Sequence, residues 1–377
     1  MSSYVSMLLL LGSIIIISCF AAKVGTDDNG NRIINYNEYV VWIIIIILSF
    51  YSGLRTAYND TLTYLSAFQS ETRTVQEFFQ EFEFSFKRSS LFELIQVIIK
   101  NYTNNQNLFL IFWAFLTNAL TVKFIQKYST HFVFSMFLFI TLGMFPFSMA
   151  GIRQAAAMAI GIWAIPLVVD KKWVKYIIIV ILAMLIQTYA LIFFIIPFMF
   201  KKPYNKATNL LLLCTVLISL SFSNFIGFIE SGTELLGYSY GQGMFLGQTI
   251  NPFRVLTYAI VPVLALLYKN KIRNIPNEYN AFINLSIISF AIMFLGLFGT
   301  ANSFARLGGF FNHTQIIAIP LLIDISFENK NENTIVNFSA VTAFLIFMLY
   351  GFYVMERGIW YDYFRHISIS QFVSSLF

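Results

Sequence analysis

The chain has 377 residues, of which 58% are hydrophobic and only 11% are charged, and 43 of them are phenylalanine. Soluble proteins carry about 25% charged residues, so this composition excludes a soluble globular protein and indicates a protein that crosses a membrane several times. Lys and Arg exceed Asp and Glu by 24 − 18 = 6, but the excess lies in short loops, which is typical of a topology signal and argues against a nucleic-acid partner.

Apolar runs follow one another along the chain, and about 20 such residues at 1.5 Å rise cross the roughly 30 Å hydrocarbon core. The candidate spans are, in chain order, Tyr4–Ala22, Tyr39–Leu54, Asn107–Val122, Phe132–Ala150, Ala155–Val169, Thr208–Ser223, Phe253–Tyr268, Ala281–Gly299, Phe310–Ile325 and Thr334–Val354. The first lacks a basic n-region and a small-x-small cleavage pattern, so it predicts a retained span. We expect an all-α polytopic membrane protein, a single integral membrane domain over 1–377 with about 10–12 transmembrane or re-entrant helices.

Four short loops carry the positive charge, and the positive-inside rule places all four in the cytoplasm. They are Lys123 with Lys127, Lys171 with Lys172 and Lys175, Lys201 with Lys202 and Lys206, and Lys269 with Lys271 and Arg273. The apolar run Trp173–Phe200 must then begin and end on one side. We expect a re-entrant hairpin that turns at Gln187-Thr188-Tyr189; the alternative is a single tilted helix about 42 Å long.

This topology places the loops 55–106 and 224–252 outside the cytoplasm, together with the tail after Val354, and the stretch Lys23–Glu38 inside. Within the first outer loop, Thr74-Val75-Gln76-Glu77 has the form of a capping box. It predicts an amphipathic helix near 75–86 that lies at the membrane interface or over a cavity, with ordinary packing as the alternative.

Three arginines stand where outer turns meet apolar spans: Arg55, Arg153 and Arg306. A guanidinium at bilayer depth costs about 2.5–3.5 kcal/mol on insertion scales, so a charge held there usually binds something. Arg153 is followed by Gln154, another polar residue between two apolar runs. Three guanidiniums around one outer-face cavity would make an anion site for phosphate or carboxylate. The alternative for each is snorkelling towards lipid headgroups.

Further polar or aromatic side chains have more than one interpretation each. Asp60 could act as a general base on a sugar hydroxyl, orient Arg55 through a charge pair, or cap a helix over Thr61–Phe68. Gln187 at the hairpin apex could hold a sugar or bond to a neighbouring helix. Trp360, Tyr361 and Tyr363 could stack on sugar rings or form an interfacial aromatic belt.

Several kinds of site are missing from the sequence. Cys19 and Cys214 lie in apolar runs and the three histidines lie far apart, so we expect neither a disulfide framework nor a metal site. The sequence has no phosphate-binding G-x-x-x-x-G-K-[ST] loop and no Asp-x-Asp pair for a metal-bound nucleotide sugar. An enzyme of this kind would need no cofactor and a donor that is already activated and membrane-borne.

Four segments resemble the EpsG family of Wzy-like exopolysaccharide and O-antigen polymerases. They are Gly53-Leu54-Arg55…Asn59-Asp60-Thr61…Tyr64…Phe68, similar to G-[LF]-R…G-D-T…Y…F; Gly151-Ile152-Arg153-Gln154-Ala155-Ala156-Ala157, similar to I-R-Q-x-x-A; Ala183–Leu191, similar to A-x-x-x-H-x-S/T-A; and Arg306-Leu307-Gly308-Gly309-Phe310-Phe311 with Pro320, similar to R-x-x-x-Y-F…P. Asn59 stands where the family has Gly, and Gln187 where it has His. Because Gln does not titrate, Gln187 cannot carry a proton as a His could.

The resemblance implies a GT-C-like membrane glycosyltransferase that polymerises undecaprenyl-diphosphate-linked oligosaccharide repeats into exopolysaccharide, capsule or O-antigen. It implies Arg153, Arg306 and Asp60 as catalytic residues, the arginines for the departing diphosphate and Asp60 as the base. Arg55, Gln154, Gln187 and Tyr64 would bind substrate.

The setting that the resemblance implies is a bacterial cytoplasmic (inner) membrane, with multiple passes and the active face extracytoplasmic. Membrane lipids and a chain-length regulator protein are further expected partners. Two alternatives remain open: a flippase for the lipid-linked oligosaccharide, and a ligase that passes the polysaccharide to another acceptor. A flippase should show internal repeat symmetry, and the sequence shows none.

Overall fold

The computed structural model describes residues 3–26, 32–82, 89–224, 226–227, 249–272, 275–299, 301–326, 334–359 and 365–376. The chain divides into two compact units. The first comprises Met1–Leu167, Lys172–Phe193 and Leu345–Phe377; the second comprises Val168–Lys171 and Phe194–Phe344. Each is described by itself below, and the single domain over 1–377 stays a prediction.

The first unit contains most of the helices that matter for the site. In chain order they are α1 Ser3–Cys19, α2 Glu38–Gly53, α3 Thr61–Ser70, α4 Val75–Gln80, α5 Ser90–Tyr102, α6 Gln106–Tyr128, α7 Phe132–Thr141, α8 Met144–Ala150, α9 Ile152–Gly161, α10 Ala164–Val169 (which runs into the second unit) and α11 Trp173–Ile186, followed by a 3-10 helix Thr188–Phe198 that also crosses the boundary. Each of the predicted spans in this unit is helical.

The second unit is helical as well. Its helices are α12 Lys206–Leu220, α13 Pro252–Leu267, α14 Asn277–Leu295, α15 Ala301–Gly309, α16 Asn312–Ser326 and the first part of α17 Thr334–Ile359. A last short helix, α18 Ile369–Ser374, returns to the first unit. The predicted outer loop 224–252 lies largely outside the described residues, as do Trp360, Tyr361 and Tyr363.

Three stretches of the described chain are long and apolar enough to cross a membrane: Gln106–Tyr128, Ile152–Val169 and Asn277–Leu295. A fourth forms if α7 and α8 count as one span bent by 47°. The bend falls at Gly143, which has a φ of 77°, and glycine adopts that left-handed conformation without a steric penalty. The protein is therefore an all-α polytopic membrane protein.

Two short antiparallel ladders tie chain segments together at the ends of the helices. β1 (Ala22–Thr26) pairs with β2 (Arg32–Tyr36), and β3 (Arg55–Ala57) pairs with β4 (Arg365–His366). The second pairing puts the tail beside the start of the first outer loop. The two segments are therefore adjacent, as a common side of the membrane requires, and the side itself stays a prediction.

A second contact lies at the other end of α2. The Glu38 carboxylate there accepts hydrogen bonds from Lys123 Nζ and, at 2.8 Å, from Gln126 Nε2 in the last turns of α6. The stretch before Glu38 and the Lys123–Lys127 cluster are therefore adjacent, and their cytoplasmic location stays a prediction.

The predicted reversal at Gln187 is confirmed. Gln187 ends α11 with an extended backbone, φ −149° and ψ 113°, and the 3-10 helix follows. Tyr176 in the first turn of α11 donates a hydrogen bond from its Oη to the Phe193 carbonyl at 3.2 Å. A straight continuation would hold these groups more than 20 Å apart, so the segment folds back on itself.

The first outer loop contains three helices, α3 to α5. The predicted capping box is present: Glu77 N–H donates to Thr74 Oγ1 at 3.2 Å, and Thr74 N–H to Glu77 Oε2 at 2.7 Å. α4 ends at Gln80, whereas we expected a helix to about 86; residues 83–88 lie outside the described part. The expected helix over Thr61–Phe68 is α3.

α5 was not foreseen, and together with α3 it packs on α6 through stacked rings. The ring centroids of Phe68 and Phe109 lie 4.8 Å apart, and those of Phe92 and Trp113 lie 4.6 Å apart. These contacts fix the outer helices on a transmembrane helix and so hold their polar residues in place.

Candidate functional site

Arg153 lies in the first turn of α9, directly after the α8–α9 break at Gly151. Its side chain is exposed. Its Nη1 donates to Ser89 Oγ at 3.3 Å, at the N-terminal end of α5. The guanidinium carbon lies 5.9 Å from the ring centroids of both Tyr64 and Phe92, within cation–π range. Segments of α3, α5 and α9 thus meet at one cation.

The electrostatics of Arg153 are unusual. Both salt bridges within the described residues, Arg73–Glu71 and Lys123–Glu38, exclude Arg153. The guanidinium also lies at the N-termini of α9 and α5, where the helix dipole is positive and a cation is disfavoured by about 0.3–1 kcal/mol per end. The N-cap of α9 is Gly151, which has no side chain, and Ser89 makes no capping bond to α5. Glu93 in the first turn of α5 offsets part of the positive potential at that helix, whereas α9 has no acidic residue in its first turn. The positive potential that remains lies at an exposed point, which is the arrangement of an anion site.

Arg55 has the opposite environment, although it looked similar in the sequence. It is 1% exposed, so snorkelling is the wrong interpretation for this residue. Its Nε donates to Thr61 Oγ1 at 2.9 Å, its Nη2 to the Met149 carbonyl at 2.9 Å, and its Nη1 to the Ser52 carbonyl. Ser52 and Met149 lie in the last turns of α2 and α8, where a cation is stabilised by the helix dipole.

Arg55 therefore links the C-terminal ends of α2 and α8 to the start of α3 through hydrogen bonds. Burial lowers the pKa of its guanidinium to about 9, so it stays charged near neutral pH. By holding the end of α8 it fixes the break after which Arg153 projects. The predicted role of Arg55 in substrate binding stays a prediction, because one side of the residue borders the cavity described below.

Asp60 does not form the expected pair with Arg55. No Asp60 ion pair occurs within the described residues, and Asp60 occupies the N-cap of α3 without a side-chain capping bond. The charge pair is absent because the interior acceptors satisfy Arg55. Asp60 does stand at the predicted N-cap position, but its side chain does not make the capping bond. Asp60 is half-buried one helical turn before Tyr64, and its role as a general base stays a prediction.

The preceding residue explains a departure from the family motif. Asn59 has a φ of 46°, in the left-handed region where Asn is the best tolerated residue after Gly. An Asn in place of the family's Gly therefore preserves this turn and the orientation of α3.

The remaining predicted residues differ in their local environments. Gln154 follows Arg153 on α9 but is buried, with 5% exposure. Gln187 is half-buried at the reversal. Arg306 is exposed in the last turn of α15, in the second unit. The described contacts bring Arg153 and Tyr64 together, and the gathering of all three arginines stays a prediction.

Sequence reasoning missed two parts of this region. Ser89 and Phe92 belong to α5, whose amphipathic pattern was the available signal. A cavity of about 390 Å³ also opens between α3 and the start of α6. Its lining residues are Arg55, Thr56, Leu62, Leu65, Ser66, Gln69, Gln106 and Asn107.

Comparison with known proteins gives one match. The model of the EpsG family matches residues 38–366, which includes α2 to α17, both strands of the second ladder, Arg55 and Arg153. No curated protein and no solved structure matches the chain.

Proposed function

We propose a function from the premise that this chain belongs to the EpsG family, and is therefore a polysaccharide polymerase-like protein of the membrane. The proposal is that it is a GT-C-type glycosyltransferase that joins undecaprenyl-diphosphate-linked oligosaccharide repeats on the extracytoplasmic face of the bacterial cytoplasmic membrane. The observation that carries it is the exposed Arg153 guanidinium at two helix N-termini, without a carboxylate partner in the described chain.

The chemistry needs an anion site of this kind. The bond between the anomeric carbon of the growing chain and its lipid diphosphate breaks, and a hydroxyl oxygen of the second repeat bonds to that carbon. The hydroxyl proton passes to a base, and the diphosphate departs with the electron pair of the broken bond. A fixed guanidinium stabilises the negative charge that develops, and such preorganised groups contribute a large part of catalysis.

Arg153 suits a diphosphate better than a lysine would. Its planar fork offers parallel donors to two phosphate oxygens. The Tyr64 and Phe92 rings lie within cation–π distance of the guanidinium, which favours one position of the side chain. In this proposal Arg306 is a second cation for the diphosphate, Arg55 positions Arg153, and Gln154 and Gln187 contribute substrate contacts.

Asp60 is the proposed base. It lies one turn before Tyr64 on α3, and within the described residues its carboxylate is engaged neither by Arg55 nor by a helix N-terminus. A carboxylate that is not committed elsewhere can accept the acceptor hydroxyl proton.

The test is reconstitution of the purified protein with its lipid-linked repeat, with polymer and translocated repeat measured separately. Arg153→Ala should lower the rate of polymer formation about 10²- to 10³-fold, as for the loss of one transition-state donor, and Arg153→Lys should recover part of it. Arg73→Ala is the matched control, because Arg73 also lies over a phenylalanine but is already paired with Glu71.

Two results would overturn the proposal. Full polymerisation by Arg153→Ala would remove this residue from the mechanism. Translocation of the repeat without polymer, by the unaltered protein, would identify a flippase, and transfer to a different acceptor would identify a ligase.

A further inference from the structure

We propose that the cavity between α3 and the start of α6 is a binding site for an uncharged stretch of saccharide. The cavity measures about 390 Å³, within the roughly 300–1,000 Å³ of small-molecule sites. It lies wholly within the first unit. Its role in polymerisation rests on the proposed function above, but saccharide binding can be measured without it.

The hydrogen-bonding groups of the cavity suit hydroxyls. Gln69 and Gln106 each bring a carboxamide, with two donor hydrogens and an acceptor oxygen. Neither side chain has a hydrogen bond within the described residues, and the same holds for the Ser66 hydroxyl. Asn107 donates from Nδ2 to the Gly53 carbonyl at 2.9 Å, which fixes its amide and leaves its oxygen free to accept. A sugar hydroxyl both donates and accepts hydrogen bonds, so it pairs well with side chains that do the same.

Charge and shape narrow the ligand further. Arg55 is the charged residue among those lining the cavity, and its guanidinium donates to Thr61, Ser52 and Met149. The lining therefore offers no carboxylate for a cation and no uncommitted cation for a phosphate. Leu62 and Leu65 add an apolar surface against which the C–H face of a pyranose ring can pack. The chemistry is that of a neutral polyol with an apolar face.

α3 separates this cavity from the anion site. Successive helical residues turn by about 100°, so Ser66 and Gln69 point roughly 200° and 140° away from Tyr64. Tyr64 contacts Arg153, whereas Ser66 and Gln69 face the cavity. We therefore place the sugar in the cavity on a different part of the glycan from the sugar whose bond breaks at the diphosphate. The sugar in the cavity is one further along the glycan, held to keep the chain attached between transfers.

The experiment uses the purified full chain in detergent and, as probe, oligosaccharides released by partial acid hydrolysis of the host strain's own surface polysaccharide. Binding is measured by equilibrium dialysis for the unaltered protein, the double variant Gln69→Ala with Gln106→Ala, and the cavity-filling variant Ser66→Trp. Gln80→Ala is the control, because Gln80 is an exposed glutamine of α4 outside the cavity. The length distribution of the glycan is measured in cells that carry each variant.

We expect the double variant and Ser66→Trp to bind the oligosaccharides at least about tenfold more weakly, as the loss of two neutral hydrogen-bonding groups implies. Their glycan should be shorter, while the first transfer continues. No binding by the unaltered protein, or equal binding by all variants, overturns the inference. If Arg153→Ala still polymerises but the cavity variants lose binding, the proposed chemistry fails and the saccharide site stands.

Discussion

Replacing Arg55 by Ala should destabilise the protein strongly, whereas replacing Arg153 by Ala should leave its stability almost unchanged. Arg55 is 1% exposed and donates to three interior acceptors. Arg153 is exposed and makes one 3.3 Å bond, to Ser89. We therefore expect Arg55 to matter mainly for stability and Arg153 mainly for function, although both belong to segments that match the family pattern.

The magnitude follows from the acceptors that the truncation would leave behind. Thr61 Oγ1 and the carbonyls of Ser52 and Met149 would lose their donors, and a buried acceptor without a partner costs about 1–3 kcal/mol. In the unaltered protein the buried guanidinium carries a desolvation cost. Removing it recovers that cost, which offsets part of the cost of the three unpaired acceptors. Loss of a buried hydrogen-bond network is among the larger effects of a single substitution, and we expect Arg55→Ala to cost about 2–4 kcal/mol. For Arg153→Ala we expect a change within about 0.5 kcal/mol.

The assay is thermal unfolding of both variants in one detergent, with polymerisation measured on the same preparations. Arg55→Ala should unfold at a clearly lower temperature and lose polymerisation through the displaced α8–α9 break. Arg153→Ala should unfold near the temperature of the unaltered protein and still lose polymerisation. If Arg55→Ala proves as stable as Arg153→Ala, the conclusion that Arg55 stabilises the protein by linking the ends of α2 and α8 is refuted.

Two further predictions concern the backbone and the topology. Asn59→Gly should be tolerated with full activity, whereas Asn59→Val should cost about 1–3 kcal/mol, because a β-branched residue at a φ of 46° is strained; equal unfolding temperatures for the two variants would contradict this. Lys202→Cys should react with a membrane-impermeant maleimide only from the cytoplasmic side, because the segment before it folds back; labelling of intact cells from outside would refute the re-entrant hairpin.

The helices were predictable because their signal is local. A run of apolar residues specifies a helix wherever it occurs, and most of every predicted run is helical. The reversal at Gln187 was predictable for a different reason, namely that the lysine clusters before and after it require the same side. The capping box of Thr74 and Glu77 was also local, and it formed as expected.

The parts that escaped prediction depend on distant contacts. The cavity combines residues of β3, α3 and α6, and no single segment carries its signature. The supposed pair of Asp60 with Arg55 failed because proximity along the chain was the only available argument. The acceptors that Arg55 uses include the Met149 carbonyl, 94 residues away. Because every residue has a backbone carbonyl, the sequence does not show which one accepts such a bond.

One distinction between the arginines became visible only in the structure. Arg55 follows the C-cap residue of α2, whereas Arg153 lies in the first turn of α9, although in the sequence Arg153 both follows and precedes an apolar run. The helix dipole stabilises a cation at the C-terminal end of a helix and disfavours it at the N-terminal end. A cation kept at an unfavourable position needs an explanation beyond stability, and a bound anion supplies it. Arg306 lies in the last turn of α15, where the dipole alone accounts for a positive charge. By this criterion Arg153 is the better candidate than Arg306 for a contact with the diphosphate.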